Sequence, residues 1–142
     1  KGQYRETVIT SLPSWNSMMG FQFESLVLKN RKLIQEASRL SPEDIIADDI
    51  YYQRETKLLA GCQIDYLIQT RTHNLFVCEI KFSQSELKTG VIKEVKEKIS
   101  KLAVPRNFAC LPVLIHVNGV SEELREANYF FEIIDFSEFL NA

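Results

Sequence analysis

Cysteine and histidine are scarce in this sequence, which contains three cysteines and two histidines. The cysteines, Cys62, Cys78 and Cys110, are odd in number, widely spaced and set in apolar segments. That pattern argues against a disulfide framework. The cysteines and histidines also lack the spacing of a zinc site. We therefore expect reduced cysteines in the core of a cytoplasmic protein.

Long hydrophobic runs and an excess of one charge are also absent. The net charge is −2, which argues against a protein whose main role is to coat nucleic acid. It does not exclude a local basic patch. No run approaches the roughly 18 apolar residues of a membrane span, and no signal peptide is visible, so we expect no membrane partner. The P-loop pattern G-x-x-x-x-G-K-[ST] is missing, which excludes nucleotide binding by that route. The chain begins at Lys1 rather than Met, so we expect a piece of a longer protein.

The 142 residues that are present predict one domain with its own hydrophobic core. Residues 1–20 contain turn and boundary residues and read as an irregular lead-in. From Phe21 to near Leu40, apolar residues recur at helical spacing. Ser41 and Pro42 then predict a short helical turn. A second amphipathic helix follows in the region of residues 87–102, with lysines on its polar face.

Strand-like segments fill most of the remaining chain. They are "IIADDIYYQR", "LLAGCQIDYLIQT", "NLFVCEIKF", "CLPVLIHV" and "YFFEIIDF", of which the first is the weakest. The short polar link between the second and third predicts an antiparallel hairpin, and Ser121 is a candidate N-cap. The order α-β-β-β-α-β over residues 21–118, with an extension over 119–142, predicts an α/β fold around a mixed central sheet flanked by helices.

Two charges, Glu79 and Lys81, interrupt the third strand-like segment. Strand alternation places them on one face with Leu75 and Val77. In the preceding segment, alternation predicts two sets: Cys62, Ile64, Tyr66 and Ile68 on one side, and Gln63, Asp65, Leu67 and Gln69 on the other. A hairpin folded about Thr72 then sets Asp65 opposite Glu79, with Cβ atoms roughly 5 Å apart.

Like charges at opposed positions destabilise a sheet, so a cation is needed to offset the cost. Lys81 would do so in part. Two carboxylates with backbone and water oxygens suit Mg²⁺ or Mn²⁺, which polarises a phosphoryl oxygen and lowers the pKa of a bound water. A neighbouring lysine can stabilise the negative charge that develops. These residues together predict phosphodiester hydrolysis.

The segments "GCQID" (61–65) and "CEIK" (78–81) resemble the D…ExK signature of the PD-(D/E)XK nuclease superfamily, which includes restriction endonucleases. The resemblance covers residues 20–118. It implies a restriction endonuclease-like core and Mg²⁺- or Mn²⁺-dependent cleavage of DNA, with Asp65 and Glu79 as metal ligands and Lys81 assisting. It also implies that Glu24 completes the acidic cluster, while Ile64 stands where the family has proline. A supporting polar residue on the following helix would be Lys93 or Lys96, and Gln63 is a further candidate because it shares a strand face with Asp65.

The whole chain also resembles the C-terminal domain of a group of prokaryotic P-loop ATPases. The pattern "W…GxxFExL" that opens those domains is matched by Trp15, Gly20, Phe23, Glu24 and Leu26. The resemblance implies that an N-terminal ATPase domain accompanies this chain in a longer protein. A homo-oligomer is a further expectation.

Plainer interpretations stay open. Asp65, Glu79 and Lys81 could form a structural salt bridge on a solvent-facing sheet, and Glu24 could be an exposed helix residue. The helix lysines could form a solvated face, since Glu94 and Glu97 lie among them. An inactive nuclease-fold module that contacts DNA or protein is the main alternative function, and a toxin or defence component is a more remote one. Asp48 or Asp49 could join the acidic cluster, although we expect a loop position. Neither His73 nor His116 belongs to a nucleophilic triad motif.

Overall fold

A computed structural model describes residues 13–140 of the chain. Its helices are α1 (Pro13–Lys29), α2 (Arg31–Ala37), α3 (Gly90–Lys101), α4 (Glu122–Glu126) and α5 (Ser137–Leu140), with a 3₁₀ turn at Pro42–Asp44. Its strands are β1 (Ile45–Gln53), β2 (Cys62–Thr70), β3 (Asn74–Lys81), β4 (Ala109–His116) and β5 (Glu132–Asp135). Within this range no helix is both long enough and apolar enough to cross a membrane.

The five strands form one mixed sheet in the order β1-β2-β3-β4-β5. Strands β1, β2 and β3 pair in antiparallel fashion, whereas β4 runs parallel to both β3 and β5. The predicted α/β class, the mixed sheet and its flanking helices are therefore confirmed. So is the burial of the apolar segment in β4, where Pro112 to His116 are all buried.

Helix α1 begins at Pro13, well before the predicted start at Phe21, so the prediction of an irregular lead-in is wrong for residues 13–20. Proline is tolerated in a first helical turn because its missing N–H would have no partner there. Residues 1–12 lie outside the described part of the chain. The predicted single helix is also two helices, because Asn30 leaves helical geometry (φ −116°, ψ 33°) and its side chain donates to the Leu26 carbonyl at 2.8 Å.

Hydrophobic side chains cover both faces of the sheet. On one face, Phe23 and Val27 of α1 and Ile34 of α2 pack against a row from the central strands. That row consists of Tyr66, Ile68, Phe76, Cys78, Ile80, Val113 and Ile115. On the other face, α3 packs through Val91 and Val95. Each fully buried aliphatic side chain of this kind contributes about 1.5–3 kcal/mol. Helices α1 and α3 thus lie on opposite sides of the same strands.

Strand β2 contains a bulge at Asp65. Asp49 lies opposite Leu67 and Tyr51 lies opposite Ile64, so β2 advances by three residues where β1 advances by two. The extra residue reverses the alternation of β2, so Ile64 packs on the α3 face while Tyr66 packs on the α1 face. The prediction that Cys62, Ile64, Tyr66 and Ile68 share one side is therefore wrong.

Candidate active site

The candidate site lies where β2 and β3 separate. The hairpin pairs Gln69 with Leu75 and continues to Tyr66 opposite Cys78, which confirms the predicted antiparallel hairpin. Extending that register by one residue sets Asp65 opposite Glu79. At this position the Asp65 Oδ2 atom accepts a hydrogen bond of 2.9 Å from the Ile80 N–H. A carboxylate therefore takes the place of a backbone acceptor where the ladder ends.

Glu79 is buried, with 5% of its surface exposed. Its Oε1 atom accepts a hydrogen bond of 2.8 Å from Lys98 Nζ. Burial raises the pKa of Glu79, and the negative charge of Asp65 raises it further, against the opposing effect of Lys98 and Lys81. The alternative of a salt bridge on a solvent-facing sheet is wrong for Glu79, because this carboxylate is inside the protein.

Lys98 is the member of the site that sequence reasoning missed, because it was assigned to the polar face of its helix. Its position carried a signal, since Val91, Val95, Lys98 and Leu102 follow one another at spacings of four, three and four residues. Such spacing marks the buried stripe of a helix. Burial acts to lower the pKa of Lys98, but the hydrogen bond and charge of Glu79, with Asp65, outweigh it and raise that pKa. The ammonium therefore stays charged at neutral pH.

Glu24 extends from α1 into the same region. It lines a cleft of about 390 Å³ together with Asp65 and Lys98. Burial raises the pKa of Glu24, and the negative charges of Asp65 and Glu79 also raise it, while Lys98 lowers it. Asp65 and Glu79 thus act on the half-buried Glu24, which does not fit the alternative of a plain exposed helix residue. Gln63 lines the same cleft.

The other predicted lysines lie elsewhere. Lys81 Nζ contacts Glu94 Oε2 of α3 at 2.7 Å, although its charge still lowers the pKa of Glu79. Lys93 and Lys96 line a different groove with Tyr129, and Lys96 Nζ lies 5.3 Å from the centre of the Tyr129 ring. The structure does not bring Lys93 and Lys96 to the acidic cleft.

The carboxylates offer ligands for a divalent cation. One oxygen of Asp65 accepts from Ile80 and one of Glu79 accepts from Lys98, and within residues 13–140 the second oxygen of each accepts no hydrogen bond. No three His, Cys, Asp or Glu side chains in that range converge closely enough to hold a metal by themselves. Mg²⁺ keeps several waters and commonly binds through one or two carboxylates. Asp65 and Glu79 therefore fit such an ion as a two-carboxylate site.

No protein-family model and no curated protein matches this sequence. The nuclease resemblance therefore stays a prediction, and its support comes from the residues in and beside the cleft.

Asp48 belongs to a separate polar network. Its Oδ2 atom accepts hydrogen bonds from the Tyr66 hydroxyl at 2.6 Å and from Arg31 and Gln35 at 3.2 Å each. Arg31 balances its charge. Asp48 lies in β1 rather than in the expected loop, and its hydrogen bonds tie β1 and β2 to α2.

Proposed function

We propose that this chain is a metal-dependent nuclease domain of the PD-(D/E)XK type that hydrolyses phosphodiester bonds in DNA. The observation that carries the proposal is the position of Asp65, which ends the β2–β3 ladder beside the buried Glu79 and across a cleft from Glu24. The element order α1-β1-β2-β3-α3-β4 supports a restriction endonuclease-like core. Bulges of the kind at Asp65 are frequent beside active sites, where they redirect a side chain.

The acidic side chains in and beside the cleft each have a role in this proposal. Asp65 and Glu79 would hold Mg²⁺ or Mn²⁺, with waters completing its coordination; the predicted third ligand, Glu24, does not converge with them closely enough to bind the same ion. When bound, such a cation polarises a phosphoryl oxygen and lowers the pKa of a coordinated water. Glu24, whose pKa is raised, is suited to accept a proton from the attacking water.

Two lysines are suited to stabilise the charge that develops on the phosphate. Lys98 lines the cleft and keeps its ammonium 2.8 Å from Glu79. Lys81 is held toward Glu94 on the surface of α3. We therefore assign to Lys98 the contact with a non-bridging phosphate oxygen, and to Lys81 a weaker electrostatic contribution to the same site.

We also propose that this chain is the C-terminal part of a longer protein. The resemblance to ATPase C-terminal domains supports an N-terminal P-loop ATPase domain as the partner of this chain, with DNA as the substrate in the cytoplasm. Pulse proteolysis and size-exclusion chromatography of the longer protein would detect whether that domain and this one contact each other.

Incubation of the purified chain with plasmid and linear DNA in Mg²⁺ or Mn²⁺ tests the catalytic proposal. We expect cleavage that falls at least a hundredfold in Asp65→Asn and in Glu79→Gln, because each change removes a ligand charge. Glu97→Gln, on the exposed side of α3, is the matched control and should cleave like the wild type. Absence of cleavage at every metal concentration, or cleavage by Asp65→Asn at the wild-type rate, would contradict the proposal.

An inactive nuclease-fold module is the second candidate. The ion pair between Lys98 and Glu79 favours it, because a lysine already neutralises one of the two ligands. Titration with Mn²⁺, followed by electron paramagnetic resonance, separates the two functions. Mn²⁺ binding that is lost in Glu79→Gln supports the enzyme, whereas no Mn²⁺ binding supports the module.

A further inference from the structure

Two aromatic side chains at the acidic cleft are mostly exposed to solvent. Phe21 of α1 is 73% exposed and Tyr52 of β1 is 69% exposed. Aromatic rings each bury a large apolar area when they pack, so two open rings that line one groove offer that area to a ligand or partner. The neighbouring Phe23 is buried in the core, so α1 turns Phe21 away from the core it packs against.

The two rings line one groove of about 520 Å³ that runs into the acidic cleft. The groove and the cleft share Phe21, Glu24 and Gln63 as lining residues. Gln63 lies directly opposite Tyr52 in the β1–β2 ladder, which fixes Tyr52 at the border of the two depressions. On α1, Phe21 precedes Glu24 by three residues, so both side chains lie on the same side of the helix.

Positive charges lie at both ends of this path. Lys29 and Arg31 line the groove, and Lys98 and Lys101 line the cleft. Arg31 contacts Asp48, but within residues 13–140 neither Lys29 nor Lys101 forms an ion pair. Open aromatic rings between lysines match the alternation of bases and phosphates in an unpaired strand. Bases inside a duplex are stacked on one another and offer no face to such rings.

We propose that the groove binds single-stranded DNA, with bases stacked on Phe21 and Tyr52 and the backbone led into the acidic cleft. The inference rests on the proposed nuclease function and names its substrate class, which is DNA with unpaired nucleotides beside the scissile phosphate. Lys29 and Lys101 contact phosphates on either side of the stacked bases. The groove thereby selects for unpaired DNA, and the acidic residues carry out the hydrolysis.

Fluorescence anisotropy with a labelled, unstructured 12-nucleotide DNA in EDTA tests this inference without any need for cleavage. We expect Phe21→Ala and Tyr52→Ala each to weaken binding about five- to a hundredfold, as for stacking of one base on one ring. Tyr51→Ala is the matched control, because Tyr51 lies on the same strand but lines the neighbouring depression with Asp49 and Leu67. It should bind like the wild type. A duplex of equal length should bind more weakly and respond less to the two substitutions.

The outcomes separate this inference from the nuclease proposal. Unchanged single-strand affinity in the Phe21→Ala, Tyr52→Ala double variant, with cleavage intact, overturns the inference alone. Aromatic-dependent binding without cleavage of any substrate supports the inference and overturns the nuclease. Equal binding of duplex and single strand, or tighter binding of an RNA of the same sequence, contradicts the assignment to single-stranded DNA. Self-association that the double variant abolishes, measured by sedimentation velocity, would assign the rings to an interface between copies and overturn it.

Discussion

At the scale of single residues, the site is defined by how its buried charge is balanced. Glu79 is buried beside Asp65, and a bare carboxylate there would lose its hydration without compensation. Lys98 provides that compensation at 2.8 Å. Lys81, which stands in the ExK motif, contacts Glu94 instead. In this state of the protein, the helix lysine neutralises the site more directly than the motif lysine does.

Replacement of Lys98 by methionine should destabilise the protein at neutral pH, because it leaves Glu79 buried without a partner. We expect a loss of about 2–4 kcal/mol, somewhat below that of a fully buried pair since the Lys98 side chain is 32% exposed. Urea denaturation at pH 7 measures the loss. Lys93→Met, on the exposed part of the same helix, is the control and should stay within about 0.5 kcal/mol of the wild type.

The loss in Lys98→Met should depend on pH in one direction. The pKa of Glu79 is already raised in the folded protein, so the folded state holds this proton more tightly than the unfolded state does. Stability therefore falls as pH rises from the ordinary glutamate pKa of 4.5 through the pKa of Glu79 in the folded protein. Without Lys98 the folded pKa rises further and the fall is larger. The variant should thus approach the wild type at pH 4, and a pH-independent difference would contradict the buried-charge explanation.

At the scale of elements, the sequence predicted which segments form strands better than it predicted which face of the sheet each side chain of β2 occupies. Apolar runs and the short polar link marked β2, β3 and β4, and the hairpin followed from the link. The bulge at Asp65 could not be predicted, because it depends on the register in which β2 pairs with β1, and the residues of β2 alone do not show that register. The break at Asn30 was equally hidden, since apolar spacing continues across it.

The same limit explains which site residues could be predicted. Asp65 and Glu79 belong to adjacent strands of one hairpin, so local register places them together. Lys98 reaches Glu79 only because α3 packs across the sheet, and that contact spans 19 positions in sequence. Lys98 is predicted to lie on the polar face with the other helix lysines, although its spacing from Val91, Val95 and Leu102 also fits the buried stripe. Residues joined by tertiary packing are thus the ones that sequence patterns miss.

Packing of α3 is the element-scale feature that holds Lys98 in place, and Val95 is its centre. Val95 is fully buried, at 0% exposure. Val95→Ala removes two buried methyl-sized groups and leaves a cavity, so we expect a loss of about 2–3 kcal/mol. Guanidinium denaturation should show a lower midpoint with an unchanged slope. Val104→Ala, in an exposed loop, should change stability by less than about 0.5 kcal/mol, and equal losses would contradict the central role of Val95.

At the scale of the whole molecule, the candidate site joins elements from both sides of the sheet. Glu24 comes from α1 on one face, Lys98 from α3 on the other, and Asp65 and Glu79 from the strands between them. None of these elements alone brings the acidic groups together. A divalent cation that binds the cluster therefore binds the folded chain in preference to the unfolded one, and ligand binding of that kind stabilises the fold.

Thermal unfolding in Mn²⁺ should show this linkage. At a free concentration of about 100 times the dissociation constant, binding to one site adds about 2.7 kcal/mol, equivalent to a rise in Tm of about 5–10 °C for a chain of this size. Asp65→Asn and Glu79→Gln should lose most of the rise, because each removes a charged ligand. Asp49→Asn is the control: this exposed β1 carboxylate lies outside the cleft, so the full rise should remain. An equal rise in Asp65→Asn would place the ion elsewhere on the protein, since a site that spans both faces of the sheet cannot bind normally after its central strand ligand is neutralised.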